Sequence, residues 1–356
     1  MKILVIKLHY IGDVVMITPS LRRLRQVFPE AKIDVLIGDW SRQVLENNPH
    51  LRRIISIPSK WLLTKNPWNL VALSRLLIEL RKEKYDGVLI FHHNRAIRAL
   101  GRAISAPMTI AYHPNSNDSH RFSLWDTRRH GVLNALALVD AFNREVGVNV
   151  KTPESNHNLK AEWVVTKEEQ LRATKILESA GVSEPPIIVH PGAGRSPLKS
   201  SDPRQWFPEC FVELIIELVQ HNLGPILLEG AEFEQPLAQA ILKKVPSTVG
   251  SIVGKTNLRE LAAVLSKSRL LITNDTGTMH IGGAVKIPLV AVFGPTGGDK
   301  LIPLQGPFKA VQSQVPCSPC YYGAFRGCLF KEYECMKEIS VERVLDSALM
   351  LLERVF

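Results

Sequence analysis

The sequence lacks the features that mark membrane-spanning, secreted and disordered proteins. No apolar run in its 356 residues approaches the roughly 18 residues of a transmembrane helix. The first apolar stretch breaks at Lys7 and has no small-residue cleavage site, unlike a secretory signal. Hydrophobic residues make up 45% and charged residues 22%, a balance typical of a globular protein. We therefore expect a cytoplasmic protein.

Three signatures of ligand binding are also missing. There is no Asp-x-Asp pair, which metal-dependent sugar-nucleotide transferases commonly use to hold Mg²⁺ or Mn²⁺ on carboxylate oxygens. Neither the G-x-G-x-x-G dinucleotide fingerprint nor the G-x-x-x-x-G-K-[ST] phosphate loop occurs. Any phosphate should therefore be held by basic side chains and helix N-termini, and we expect no metal in the site and no cofactor.

The charge of the chain favours an anionic partner. Lys and Arg number 44 against 34 Asp and Glu, which gives a formal net charge of +10. Such a surplus suits nucleic acid, a phosphorylated substrate or an acidic membrane face. Because the basic residues are scattered and no nucleic-acid-binding motif occurs, we expect no nucleic-acid partner and retain nucleic-acid binding only as a distant alternative.

Short apolar runs alternate with amphipathic stretches, a pattern typical of a parallel sheet covered by helices on both faces. Strands are predicted at 3–6, 33–37, 54–57, 87–91, 108–111, 187–190, 226–229, 251–253, 270–273 and 289–293. Helices are predicted at 14–27, 68–81, 95–104, 132–146, 167–180, 208–221, 235–244, 258–266, 278–285 and 341–352. A polar stretch at 147–158 separates two similar halves, which predicts an α/β protein with two Rossmann-like domains facing a central cleft.

Ligands of such sheets bind at the carboxyl ends of strands, and the first strand ends at Lys7. Gly12 permits a tight turn there, and Asp13 is expected at the start of the next helix. Asp13 then has two interpretations, either a helix N-cap or a carboxylate available to accept a proton. The position alone favours the cap, because a helix N-terminus stabilises the carboxylate and weakens it as a base.

Two further loops follow predicted strands in the second half. Gly192 and Gly194 alternate in the loop after His190, where backbone N–H groups can approach a phosphate. Residues 274–280 (NDTGTMH) join a strand to a helix, so the N–H groups from Thr276 to Met279 are expected to form an anion site. A capped helix with a packed histidine is the alternative for this segment.

Four of the five cysteines, at positions 317, 320, 328 and 335, cluster near the C-terminus. The first pair has the spacing of metal ligands, whereas the second pair is spaced too widely for a standard zinc ribbon. A structural metal site and packed or free thiols both remain open. Cys210 is expected to lie on a helix and to be buried in the protein core.

Residues 3–29, the HPGAG loop and residues 254–296 together resemble glycosyltransferase family 9, the bacterial ADP-heptose:lipopolysaccharide heptosyltransferases. The likeness covers nearly the whole chain and is most specific in the segment NDTGTMH…FGPT. It implies the GT-B architecture, with an acceptor domain at 1–155, a nucleotide-sugar domain at 156–338 and a last segment, 339–356, that returns to the first domain. It also implies inversion at the anomeric carbon without a metal.

The resemblance assigns roles residue by residue. Asp13 becomes the catalytic base and Lys7 a basic active-site residue, which reverses the preference for the cap. Gly12 and His130 match acceptor-site positions. The donor diphosphate motif and its neighbouring loops supply Gly192, Gly194, Glu234, Asp275, Thr276, Gly277, Met279 and His280. Arg204 stands where many members have lysine, and Lys199 competes for that role.

The resulting hypothesis is heptose transfer from ADP-heptose to an inner-core lipopolysaccharide sugar. Another nucleotide-sugar or another glycan acceptor remains the alternative. Basic residues of the first domain are candidates for acceptor phosphates and carboxylates and for a peripheral contact with the anionic inner membrane leaflet. They are Lys60, Lys65, Arg95, Arg98, Arg121, Arg128 and Arg129.

Overall fold

The computed structural model describes residues 1–8, 10–58, 61, 67–113, 122–124, 126–148, 159–194, 202–321, 328 and 332–353. The chain divides into two compact units, Met1–Val164 and Val165–Phe356. The predicted boundary at 155 and most of the predicted polar linker lie outside the described residues.

Residues 159–164 belong to the first unit because Glu162 forms a hydrogen bond and ion pairs with it. The Glu162 backbone N–H donates to Thr18 Oγ1 at 2.9 Å. Its carboxylate pairs with Arg22 and lies 2.9 Å from His50 Nε2. The first unit therefore extends past the expected boundary.

The first unit contains a six-stranded sheet in which every neighbouring pair is parallel. Its strands are β1 (Lys2–Lys7), β2 (Lys32–Gly38), β3 (Arg53–Ile57), β4 (Gly87–Ile90), β5 (Met108–His113) and β6 (Phe122–Leu124). Its helices are α1 (Ile11–Met16), α2 (Thr18–Val27), α3 (Arg42–Leu45), α4 (Pro67–Lys82), α5 (Arg95–Ala103) and α6 (Gly131–Glu145).

The second unit repeats this construction. Its strands are β7 (Ile187–His190), β8 (Ile226–Leu228), β9 (Gly250–Ser251), β10 (Leu270–Asn274), β11 (Leu289–Phe293) and β12 (Phe308–Gln312). Its helices are α7 (Lys167–Ser179), α8 (Pro208–Gln220), α9 (Gln235–Leu242), α10 (Leu258–Ser266), α11 (Gly277–Val285), α12 (Gly298–Leu301), α13 (Glu334–Lys337) and α14 (Val341–Glu353).

The order of the strands in each sheet indicates which loops are expected to bind ligands. The first sheet runs β3-β2-β1-β4-β5-β6 and the second β12-β11-β10-β7-β8-β9, so each has the doubly wound order 3-2-1-4-5-6. The order reverses between β1 and β4 in one sheet and between β7 and β10 in the other. Crevices form outside the strand ends at these points, which makes the four following loops the expected sites.

Apolar strand residues and one face of each helix form the cores. In the second unit the core includes Val344, Ala348, Leu351 and Leu352 of α14, all buried. This helix packs on β10, β11, β12 and α8, so it belongs to the second unit. Its return to the first domain, implied by the resemblance, stays a prediction.

The predicted helix at 14–27 is two helices in the structure. α1 ends at Met16, and α2 starts at Thr18 with Pro19 in its first turn, where a missing N–H costs nothing. Among the described residues, no helix is both long enough and apolar enough to cross a bilayer.

Candidate active site

Lys7 and Asp13 form a close ion pair at the end of β1. Lys7 Nζ lies 2.8 Å from Asp13 Oδ2 and donates to the carbonyl of Phe91 at 3.2 Å. The Asp13 side chain is 34% exposed, against 13% for Lys7. The carboxylate is therefore open to a substrate while the ammonium group is largely enclosed. The structure brings together the two predicted catalytic residues.

The interpretation of Asp13 as a helix N-cap is wrong. α1 begins at Ile11, earlier than predicted, with Tyr10 in the N-cap position and no side-chain cap hydrogen bond. Asp13 lies inside the first turn instead. Tyr10 has φ 54°, a region that non-glycine residues rarely adopt, so the turn into the helix is a strained one. Gly12 is buried in α1, and its acceptor role stays a prediction.

Two histidines that the sequence analysis missed follow β4. His92 Nε2 accepts a hydrogen bond from the Leu8 N–H at 2.6 Å, which ties the end of β1 to the end of β4. His93 is exposed, and its ring stacks on Tyr112 of β5 with centroids 5.0 Å apart and planes 17° apart. The available signal was their position immediately after a predicted strand.

His93 lies in the electrostatic field of the Lys7–Asp13 pair. Loss of hydration lowers the pKa of His93 to about 4, and the cations Lys7 and Arg98 act in the same direction against Asp13. Its imidazole is therefore neutral at neutral pH. Burial, together with the Asp13 charge, raises the pKa of Tyr112 well above its usual value, so this phenol is neutral as well.

His130 occupies the N-cap of α6. Its Nδ1 accepts from the Val132 N–H at 3.1 Å, and the residue is buried. A contact between His130 and the acceptor stays a prediction. Of the other basic candidates, Lys60, Lys65 and Arg121 lie outside the described residues, and Arg128 pairs with Asp126 on the surface.

In the second unit, Asn274 ties the two strand ends together. The Asn274 amide nitrogen donates to the carbonyls of Pro191 and Gly192 at 3.1 and 2.8 Å. Its oxygen accepts from the Trp206 N–H at 3.1 Å. This buried amide fixes the glycine-containing loop after β7 against the end of β10.

The structure also brings Glu234 to this loop. A Cβ on Gly192 would lie 1.7 Å from Glu234 Oε1, so a larger residue at this position would displace that carboxylate. Glu234 Oε2 accepts from the Ala231 N–H at 2.8 Å, which holds the side chain in place. Gly194 has φ 71°, in the left-handed region that favours glycine.

The predicted diphosphate segment begins α11. Thr276 is the N-cap, and its Oγ1 accepts from the Met279 N–H at 3.5 Å. Gly277 and Thr278 are the first two helical residues, whose N–H groups have no acceptor within a helix. A helix N-terminus of this kind attracts anions. His280 is buried one turn further on, and its donor contact stays a prediction.

Arg204 is held beside this helix by the carboxylate of Asp202 and the backbone carbonyl of Asp275. Its Nε and Nη2 donate to the Asp202 carboxylate at 2.8 and 2.6 Å, and Nη1 donates to the Asp275 carbonyl at 2.9 Å. Burial alone would lower the pKa of Arg204, but Asp202 and Asp275 raise it. The guanidinium is a fixed cation at the strand end. Lys199 lies outside the described residues.

A second buried charge lies at the end of β7. His190 Nδ1 is 2.8 Å from Glu229 Oε2, within ion-pair distance but without hydrogen-bond geometry. Although burial acts against it, Glu229 raises the pKa of His190 to about 9, and Glu234 adds to the effect. His190 is therefore an imidazolium at neutral pH.

Cys335, the buried member of the cysteine cluster, carries a protonated thiol. Burial raises the pKa of Cys335 to about 11, and neighbouring Cys320, Cys317 and Cys328 contribute in the same direction. Within the described parts of the chain, no group of three or more His, Cys, Asp or Glu side chains is arranged to hold a metal ion. Cys210, expected in the core, is partly buried on α8.

A family model described as glycosyltransferase family 9 (heptosyltransferase) matches residues 73–332. The chain belongs to this family. The resemblance inferred from the sequence is thereby confirmed, and the protein is a glycosyltransferase.

Individual relatives extend the likeness along the chain. Lipooligosaccharide heptosyltransferase 2 of Haemophilus influenzae is 26% identical over 316 residues, covering 85% of this chain and 86% of that protein. Lipopolysaccharide heptosyltransferase 2 of Escherichia coli K12 is 24% identical and covers 99% of both chains.

Solved structures confirm the expected α/β, GT-B fold class. A family 9 glycosyltransferase from Veillonella parvula superposes with a TM-score of 0.80 at 24% identity, covering 99% of this chain and 97% of that one. The E. coli ADP-heptose lps heptosyltransferase II gives a TM-score of 0.75 at 22% identity, covering 100% and 99%.

Proposed function

We propose that the protein transfers heptose from ADP-heptose to an inner-core sugar of lipopolysaccharide, with inversion and without a metal ion. The names of its relatives support this donor and acceptor, since they are lipopolysaccharide heptosyltransferases and one solved relative is named for ADP-heptose. The observation that carries the proposal is the partly exposed Asp13 carboxylate, held by Lys7 where the strand order of the first sheet reverses.

Asp13 is the general base. As the acceptor hydroxyl oxygen attacks the anomeric carbon, Asp13 takes the hydroxyl proton. Lys7 engages Oδ2, so Oδ1 is the oxygen that receives this proton, and the ion pair fixes the direction of the carboxylate. A positioned base of this type is typically worth roughly 10²–10⁴ in rate.

The second unit binds the donor and takes up the leaving group. While the new glycosidic bond forms, the bond from the anomeric carbon to the diphosphate breaks and ADP departs. The N–H groups of Gly277 and Thr278 and the guanidinium of Arg204 stabilise its charge. Lys199 is a further cation for this role, and Glu234 contacts the ribose or the base.

The remaining donor contacts come from Gly192, Gly194, Asp275, Met279 and His280. Thr276 and Asp275 shape the helix N-terminus, since one caps it and the other fixes Arg204 through its carbonyl. On the acceptor side, Gly12 and His130 line the sugar site.

The acceptor is anchored in a membrane, so the protein works at the cytoplasmic face of an anionic leaflet. Arg95, Arg128 and Arg129 are exposed in the first unit and supply the positive charge for a peripheral contact. Because such contacts are electrostatic, they weaken as ionic strength rises.

Calorimetric titration with ADP, UDP and GDP in EDTA tests the donor class, followed by transfer of heptose to a heptose-deficient lipopolysaccharide core. We expect ADP to bind most tightly, transfer to proceed in EDTA, and the product to have the inverted anomeric configuration. Preference for another nucleotide would favour the alternative donor, and loss of transfer in EDTA would contradict metal independence.

A further inference from the structure

We propose that His93 binds the acceptor: its imidazole hydrogen-bonds a sugar hydroxyl beside the one that Asp13 deprotonates. This inference rests on the proposed function and adds a side chain to the acceptor site that neither the motifs nor the family resemblance assigned.

The backbone at His93 is fixed beside the Lys7–Asp13 pair. Lys7 Nζ donates to the carbonyl of Phe91, and the Leu8 N–H donates to the ring of His92, at 3.2 and 2.6 Å. Two hydrogen bonds from the end of β1 therefore hold the two residues that precede His93. Its position relative to Asp13 is set by the sheet rather than by a loose loop.

The two adjacent histidines have different surroundings. His92 is buried and its Nε2 is used by Leu8, whereas His93 is exposed. Tyr112 supports the His93 ring from one face by parallel stacking at 5.0 Å. Arg98 in turn donates to the Tyr112 carbonyl at 3.0 Å. His93 is thus exposed in part while stacking holds its ring in a fixed orientation, which reduces the entropy lost when it binds a ligand.

The charge of the surroundings indicates which ligand group His93 takes. Among the described residues, Lys7, Arg98 and Asp13 act on it electrostatically, and the ring of Tyr112 lies against its face. A neutral imidazole has one N–H donor and one nitrogen acceptor. This pairing suits a sugar hydroxyl, which both donates and accepts, better than a phosphate or carboxylate, for which the site already holds cations.

The experiment compares His93→Phe and His93→Asn with the unaltered protein. Phenylalanine preserves the stacking on Tyr112 but removes both nitrogens, whereas asparagine keeps a donor and an acceptor. We expect His93→Phe to raise the acceptor KM about three- to tenfold, the worth of one hydrogen bond, with a smaller change in kcat. His93→Asn should recover part of the loss. ADP affinity should be unchanged in both variants.

The matched control is His221→Asn, which alters an exposed histidine at the end of α8 in the second unit. It should leave both KM values unchanged. An unchanged acceptor KM in His93→Phe, in a protein that transfers normally, would overturn the assignment of His93 alone. Equal losses in kcat for the Phe and Asn variants at constant KM would assign His93 a purely structural role. Failure of the unaltered protein to transfer heptose would overturn the proposed function as well.

Discussion

Where the strand order reverses, the first unit joins β1 to β4 through the Leu8 N–H and the His92 ring, and the second joins β7 to β10 through the Asn274 amide. Beside the first of these contacts, the Asp13 carboxylate is partly exposed. Beside the second contact, the Arg204 guanidinium donates two hydrogen bonds to the Asp202 carboxylate. The same sheet order thus presents two different arrangements: an accessible carboxylate in the first unit, and a fixed cation with a helix N-terminus in the second.

The histidines at these two places show the same contrast. His93 is exposed among cations and neutral, whereas His190 is buried against Glu229 and charged. A neutral exposed imidazole suits hydroxyl recognition. A buried imidazolium contributes to the electrostatics of the strand end and to stability.

The largest expected effect comes from removing the proposed base, Asp13. Asp13→Asn should lower kcat by roughly 10²–10⁴-fold, because the amide cannot take the acceptor proton. Since Asp13 is not the helix cap, the melting temperature should change little. Steady-state kinetics at saturating donor and acceptor make the measurement.

The matched control for this substitution is Asp346→Asn, an exposed carboxylate on α14. It should retain full turnover. Near-normal turnover in a stable Asp13→Asn protein would move the base elsewhere, with His9 and His130 as the next candidates.

The fixed cation should have the next largest effect. Arg204→Ala should cost about 2 kcal/mol or more of transition-state stabilisation, measured from kcat/KM. Asp202→Asn keeps the Arg204 cation but weakens the hydrogen bonds that orient it. The loss of transition-state stabilisation should therefore be smaller than for Arg204→Ala. Should Lys199→Ala prove more damaging than Arg204→Ala, the main phosphate contact would be Lys199.

The buried histidine predicts how stability depends on pH. Because the folded-state pKa of His190 is raised from 6.5 to about 9, its contribution is complete below pH 6.5 and is lost as the pH rises through about 9. The loss should reach at most about 3 kcal/mol, since one pKa unit is worth about 1.4 kcal/mol. Denaturant unfolding at several pH values measures it.

The double variant His190→Asn with Glu229→Gln removes both charges and should flatten that dependence. In the first unit, His93 is expected to change the pH dependence of stability in the opposite direction. Its lowered pKa means that stability is lost as the pH falls from 6.5 towards about 4. A stability profile that rises with pH between 7 and 9 would contradict the assignment of His190 as a buried imidazolium.

The smallest effect is expected at the cap of α11. Thr276→Ala removes the bond to the Met279 N–H and should cost about 1 kcal/mol of stability. Thr276→Ser keeps the oxygen and should be nearly neutral. If both variants had equal stability, the cap would contribute nothing to α11.

Much of the fold could be predicted because the central strands are continuous apolar runs, such as Leu270–Thr273. The sixth strand of each sheet was missed. Among the described strands, β12 pairs with β11 alone; it is mostly half-buried and includes Lys309 and Gln312. An edge strand with one neighbour does not need a continuous apolar run, so neither periodicity nor composition identifies it.

The site, like the fold, has some features that the sequence predicts and others that it does not. Lys7, Asp13 and the α11 segment lie at strand-to-helix junctions that can be recognised locally. The contact between Leu8 and His92 spans 84 positions, and no local pattern encodes it. Asp202 was missed because it lies in a polar stretch between predicted elements, where its pairing with Arg204 depends on the folded loop. The early start of α1 was missed because it depends on the unusual backbone of Tyr10.

The central claim is that the first unit supplies the base and the second unit binds the nucleotide. Calorimetric titration of ADP, in EDTA, into Asp13→Asn and Arg204→Ala tests it most directly. Asp13→Asn should bind ADP as tightly as the unaltered protein, whereas Arg204→Ala should bind at least about tenfold more weakly, as expected for a lost charged hydrogen bond. Equal weakening in the two variants, or weakening in Asp13→Asn alone, would contradict this division of roles.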